Sequence, residues 1–152
     1  MRAVITGGTR GIGLSAAEAL GKAGYDIIIT GIDNEAAKTA LEELKSQGIN
    51  AEYIYADSMN EEDVNKCFKY IEEKYGSLDV LVNNVGGLGG RQRFEEMETS
   101  FMRRVMALNF DSAFFASRAA IPMLKKGEHP SIINYSTIAV TSGGGPGAGI
   151  YS

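Results

Sequence analysis

A doubly wound α/β fold, a parallel sheet with helices on both faces, is predicted by three features of the sequence. Strand-like and helix-like segments alternate, the strand-like segments are nearly continuous apolar runs, and glycine clusters fall just after strands. The five short, β-branched runs are residues 2–6, 26–30, 51–55, 79–83 and 131–135. Most lack the alternation of a half-exposed strand, which predicts burial on both faces. Strict alternation with helices then requires right-handed crossovers and parallel pairing.

The helices follow in order. Residues 11–23 are rich in small side chains, Ala16, Ala19 and Ala23, that let a helix lie close against a sheet, and Gly24 closes it. In the second, Ala37, Ala40, Leu41 and Leu44 keep the i, i+3, i+4, i+7 spacing, with Gly48 just past the end. In the third, Val64, Cys67, Phe68 and Ile71 repeat it, with Asn60 as N-cap, Asp63 three residues later as its capping-box partner, and Gly76 as the stop. A fourth, long helix is predicted over 98–125. It is so apolar through 107–123 that cover on more than one side is expected, and Pro122 is tolerated only near its end.

A chain of 152 residues suits one domain, 1–152. The net charge of -4, with both signs interspersed, offers no basic stripe and so argues against nucleic-acid binding. Cys67 is the only cysteine, which excludes an internal disulfide and fits a reduced, cytoplasmic setting. No apolar run approaches the roughly 20 residues of a membrane span, and residues 1–6 read as strand, not as a signal peptide. Small molecules or other protein subunits are the expected partners.

The loop from Thr6 to Gly13 follows the first strand and opens the first helix, so backbone amides of 11–13 face an anion placed at the helix N-terminus. Gly7 is expected to make the tight turn, Gly11 to admit a pyrophosphate and Gly13 to allow close contact of helix and sheet. A nucleoside triphosphate P-loop is excluded, because Leu14 stands where that motif needs lysine. The glycine-rich stretches 86–90 and 143–149 also follow strands, at the edge where open α/β sheets bind ligands.

The spacing Gly7, Gly11, Gly13 behind Thr6 resembles the short-chain dehydrogenase/reductase family, in its compact branch, with a Rossmann-like sheet. Asn83-Asn84-Val85-Gly86 resembles the family's N-N-A-G motif, with valine in place of alanine. Asp57 falls where the family places an acid on the adenine amino group, and Asn109 falls at its structural and catalytic asparagine. The resemblance implies a dinucleotide held by Gly7, Thr9, Arg10, Gly11, Ile12, Gly13, Asp57, Ser58, Asn84, Val85 and Gly86. NADP(H) is favoured, because Gly31 replaces the acid usual in NAD-preferring relatives and Arg10 resembles the arginine that pairs with a 2'-phosphate. NAD(H) stays open, since Asp33 lies two residues past the expected acid and could turn inward.

The same resemblance implies oxidoreduction of a carbonyl/alcohol pair, in the pattern of the 3-oxoacyl-[acyl-carrier-protein] reductase group, with Asn109, Thr137 and Tyr151 at the chemistry. Thr137 matches the position of the family's serine, with Ser136 the alternative because the loop to Tyr151 is one residue longer than usual. A tyrosine needs a nearby cation to work as an acid or base at neutral pH. The family's lysine stands four residues after the tyrosine, and this sequence ends at Ser152. The expectation is a piece of a longer protein that turns over poorly alone, for want of a contribution of roughly 10²- to 10⁴-fold. The complete protein is expected to be a homo-oligomer, a tetramer or dimer, assembled partly through the long fourth helix, with Phe110, Phe114 and Phe115 as core or subunit contact. A non-catalytic nucleotide-binding module, or an inactive fragment, is the rival expectation. One histidine, His129, and one cysteine make neither a metal cluster nor a hydrolase triad, and Cys67 is expected in the core.

Overall fold

The computed structural model describes residues 1–152. Five strands, β1 (Arg2–Ile5), β2 (Asp26–Gly31), β3 (Ala51–Tyr55), β4 (Val80–Asn83) and β5 (Ser131–Asn134), form one sheet in the order β3-β2-β1-β4-β5. Every pairing is parallel. The helices are α1 (Gly11–Lys22), α2 (Asn34–Ser46), α3 (Glu61–Tyr75), α4 (Thr99–Met106), α5 (Ser112–Leu124) and a single turn, α6 (Ala139–Ser142).

Alternate residues of the central strands feed opposite cores, as the two-residue period of a strand requires. Ala3, Ile5, Ile27, Ile29, Val80 and Val82 pack with Ala17 of α1 and Ala40 and Leu44 of α2. Val4, Ile28 and Leu81 pack with Phe68 and Ile71 of α3 and Ala116 and Met123 of α5. Burial on both faces therefore holds for β1, for β4 and for the middle of β2. It does not hold for β5, which is exposed throughout, or for β3, which is half-buried: they are the two outer strands and have fewer neighbours.

The predicted long helix is also corrected. Residues 107–111 form a π-helical turn between α4 and α5, so 98–125 is not one regular helix. A π turn widens the ring of backbone bonds by one residue and is common at functional sites. Nor is this region covered all round, since Phe110 and Phe114 are 59% and 47% exposed and stack on each other at 6.4 Å. The third helix caps as predicted on Asn60, whose Oδ1 accepts from Glu62 and Asp63 N–H. Its box is not closed reciprocally, because Asp63 Oδ2 accepts instead from Asp57 N–H at 3.4 Å.

Candidate dinucleotide and active site

Winding starts at β1 and goes outward through β2 and β3, then returns to β4 on the other flank. The crevice at the carboxyl ends of β1 and β4 is thus the topological switch point. Thr6 and Asn84 close its floor. Thr6 Oγ1 donates to Val82 O at 3.3 Å and accepts from Asn84 and Val85 N–H at 3.1 and 3.3 Å. Asn84 Nδ2 donates to the carbonyls of Thr6 and Gly7 at 3.0 and 3.1 Å.

Above this floor the glycine loop turns, with Gly7 at φ +62° and Gly11 at φ +55°, values that residues with a Cβ rarely adopt. The first backbone bond of α1 runs from Leu14 N–H to Arg10 O, and the N–H groups of Gly11, Ile12 and Gly13 meet no acceptor in the chain. A Cβ on Gly11 would touch nothing within 4 Å, so this glycine faces open space. Gly13 is pressed on the Gly7 carbonyl, and a Cβ there would come within 2.6 Å of Asn84 Nδ2. Gly13 therefore brings the start of α1 against the chain just past the ends of β1 and β4. Gly8 makes a second close approach, where a Cβ would lie 2.6 Å from Ile29 Cγ2 in β2.

Two clefts flank the loop. One, of about 170 Å³, is lined by Thr9, Arg10, Gly31, Asp33, Asp57 and Ser58 among others. Asp33 is turned to two partners: it accepts Ala36 N–H at 3.0 Å as the N-cap of α2, and lies 3.7 Å from Arg10 Nη1. The Arg10 side chain is 73% exposed, so this pair is solvent-screened and easily parted. Asp57 Oδ1 accepts Met59 N–H at 2.9 Å, and Oδ2 makes no bond within the chain.

The other cleft, of about 320 Å³, brings together Ile12, residues 84–87, Asn109, Ser136, Thr137 and Tyr151. Val85 lines both clefts, so they lie on either side of it. Asn109 sits in the π turn. Its Oδ1 accepts Gly87 N–H at 2.8 Å, and its Nδ2 donates to Gly87 O and Val105 O, each at 2.9 Å. Thr137 Oγ1 accepts Ala139 N–H at 3.2 Å, whereas the Ser136 hydroxyl has no partner in the chain. Tyr151 rides on a turn whose N–H bonds Ala148 O at 3.0 Å.

Every residue expected at the dinucleotide or at the chemistry lines one of these clefts, except Gly11 and Gly13, which form the loop between them, and Gly86 stays within reach of Asn109. His129 and Cys67 line neither. Three contributors were missed: Gly8, Gly87 as the partner of Asn109, and Arg91, which bonds the loop before Tyr151. For Gly8 the signal was present, since it is a glycine immediately after a strand. Arg91 lies far from its partners in sequence and gave none.

The residues fit a dinucleotide. Its two nucleotide halves need two pockets and an anion site, and the glycine loop with its three unpartnered amides is flanked by two clefts.

The model of the short chain dehydrogenase family matches residues 1–152. The 7alpha-hydroxysteroid dehydrogenase of Clostridium sardiniense is 33% identical over 138 residues, which is 90% of this chain and 53% of that protein. The 3-oxoacyl-[acyl-carrier-protein] reductase of Aquifex aeolicus is 32% identical over 141 residues, 92% of this chain and 56% of that protein. Among solved structures, the NADH-dependent reductase A1-R' complexed with NAD superposes with a TM-score of 0.90 at 33% identity, covering 99% of this chain and 65% of that one. The chain spans about half the length of the curated relatives it matches. Glycine loop, switch point and sequence match agree: the chain belongs to the short chain dehydrogenase family.

Proposed function

We propose that this chain forms the cofactor-binding half, and part of the reaction centre, of an oxidoreductase that interconverts a carbonyl and an alcohol with NADP(H). The observation that carries it is the pair of clefts that flank the glycine loop and share Val85, beside the unpartnered amides of 11–13. When bound, the dinucleotide supplies the hydride. Amides of the loop hold its pyrophosphate, and Asp57 Oδ2, unpartnered in the chain, accepts from the adenine amino group. Arg10 beside Gly31 favours a 2'-phosphate, with NAD(H) accepted more weakly.

On the other side, the Thr137 hydroxyl polarises the carbonyl oxygen and the Tyr151 phenol donates the proton that oxygen needs once hydride arrives. A phenol with a reference pKa near ~10 requires a cation for this, which the family's lysine supplies. The Asn109 side chain has both amide hydrogens engaged, so it offers a water of the proton path only the remaining acceptor position of Oδ1. The substrate class we favour is a 3-oxoacyl thioester or a comparable ketone, as the Aquifex relative's name suggests. The exposed Phe110 and Phe114 support assembly with a second copy, which sedimentation would test.

Titration with NADPH and with NADH tests the cofactor reading. NADPH is expected to bind more tightly, and Arg10→Ala to abolish the difference; tighter NADH binding overturns the preference. Reading the gene beyond the codon for Ser152 tests the catalytic reading, with lysine expected at the fourth position after Tyr151 and a stop codon favouring the non-catalytic nucleotide-binding module. In a chain carrying that lysine, Thr137→Val is expected to remove turnover; loss only on Ser136→Ala would assign the hydroxyl to Ser136.

A further inference from the structure

The segment 87–92 touches both sides of the larger cleft. At one end, Gly87 is bonded through its N–H and its carbonyl to the Asn109 amide. At the other, Arg91 Nη1 donates to Gly144 O and Pro146 O at 3.2 and 2.8 Å, and Gln92 N–H donates to Gly147 O at 3.1 Å. Its course between is held by Arg104 Nη2, which donates to Gly89 O at 3.2 Å, and by Gln92 Oε1, which accepts Glu98 N–H at 3.0 Å.

The bonded glycine loop leads directly to Tyr151. Gly147 lies so close to the segment that a Cβ on it would stand 3.0 Å from Arg91 Cβ and 3.1 Å from Gln92 N. Ala148, the next residue, is buried, and its carbonyl accepts the N–H groups of Tyr151 and Ser152 and the Ser152 hydroxyl, each at 3.0 Å. Glycines at 143, 144, 145 and 147 all have positive φ, so the loop has little side-chain packing to fix it. External hydrogen bonds must set its position.

We propose that Arg91 is a positioning residue: by clamping the Gly144 and Pro146 carbonyls it sets the place of the Tyr151 phenol relative to Asn109, through a segment anchored to both. This rests on the reading of Tyr151 as the proton donor beside a bound dinucleotide. Arg91 is exposed and lines neither dinucleotide cleft. Its loss should therefore disturb the tyrosine without disturbing the fold or cofactor affinity.

The test is ¹⁹F NMR of the 152-residue chain labelled with 3-fluorotyrosine, the Tyr151 resonance assigned by its absence in Tyr151→Phe. In the parent chain, NADPH is expected to shift that resonance. In Arg91→Ala, the resonance of the free protein should move and broaden, and its response to NADPH should fall by at least half. NADPH affinity should stay within about twofold, because Arg91 makes no contact with the anion site. Arg91→Lys, which can reach one of the two carbonyls, should recover part of the response. Gly147→Ala, pushing the loop off from the other side, should reproduce the Arg91→Ala change. A Tyr151 resonance in Arg91→Ala that matches the parent, free and bound, overturns the proposal. If NADPH neither binds nor shifts Tyr151 in the parent chain, the functional reading itself fails, a result distinct from failure of the clamp.

Discussion

Asn109 and Gly87 are joined as a closed pair, the side-chain amide of one bonded to both backbone polar groups of the other, at 2.8 and 2.9 Å. The third bond, to Val105 O, reaches back one turn. One residue thus holds the β4 loop and satisfies part of the disrupted helix ladder. Asn109→Ala removes all three bonds and should cost about 2–3 kcal/mol, near 1 kcal/mol per part-buried bond. Asn109→Asp should cost at least as much, because it sets a carboxylate oxygen against the carbonyls of Gly87 and Val105. Urea unfolding midpoints at equal slope check this, and a change below about 0.5 kcal/mol for Asn109→Ala would refute it.

The glycine loop makes a graded prediction. Gly13→Ala drives a methyl into the Gly7 carbonyl, so the turn must open and NADPH affinity should drop by at least about 100-fold, equivalent to some 2.7 kcal/mol. Gly11→Ala has room for its methyl but must adopt φ near +55°, at a cost of roughly 1 kcal/mol, and it narrows the space before the amides. Calorimetric titration should rank Gly13→Ala as the more damaging.

Asp33 holds Arg10 while capping α2. Asparagine is an equally good cap, so Asp33→Asn should leave stability within about 0.5 kcal/mol and free Arg10 for a phosphate. NADPH affinity should rise a few-fold at low salt, with NADH affinity unchanged or lower. Equal changes for both cofactors would argue against Arg10 as the 2'-phosphate partner.

Acid stability should depend on Asp79, a buried carboxylate at the foot of β4. Burial opposes its ionisation. That effect is outweighed by backbone N–H groups of Arg2, Glu128 and His129, which hold the pKa below its ordinary value. A depressed carboxylate gives stability that is full above the unfolded pKa of about 3.9 and is lost as pH falls through the lower folded value. Asp79→Asn should cost about 2–4 kcal/mol at pH 7, because an amide NH₂ replaces an acceptor facing these donors. It should also flatten the dependence of unfolding free energy on pH below about 4.

Cys67 offers a probe of opening. Burial pushes its thiol up to about 12, with Glu52 adding to the effect. Ellman's reagent at pH 8 should react at the rate of global unfolding, and addition of NADPH should slow it. Fast reaction in the folded protein would contradict the burial of α3.

The central strands were legible because apolar continuity is strongest where neighbours cover both faces, as at β1 and β4. β5 is just as apolar in its Ile132-Ile133 pair, yet it is the edge of the sheet, and composition does not record how many neighbours a strand has. The caps of α2 and α3 were legible to different degrees. Asn60 was recognisable beside its apolar stripe, but the capping role of Asp33 was hidden behind its position near a cofactor site. At the clefts, residues that must be glycine or bear a particular hydroxyl or amide show themselves by type. Those acting through their side-chain reach or main chain, such as Arg91 and Gly87, depend on distances that only the fold sets.

The π turn at 107–111 has one more consequence. An extra residue in a helix advances everything after it by about 100° around the axis. The stripe of α5 that packs under β4, with Ala116, Ala120 and Met123, stays in phase because the wide π turn absorbs that extra residue. Deleting one residue from the turn would make a straighter and more regular helix. It would leave Ala116, Ala120 and Met123 facing the sheet but take away the wide turn in which Asn109 bonds Gly87. The irregularity that gives Asn109 its bonds to Gly87 thus leaves the second half of the rod meshed with the core.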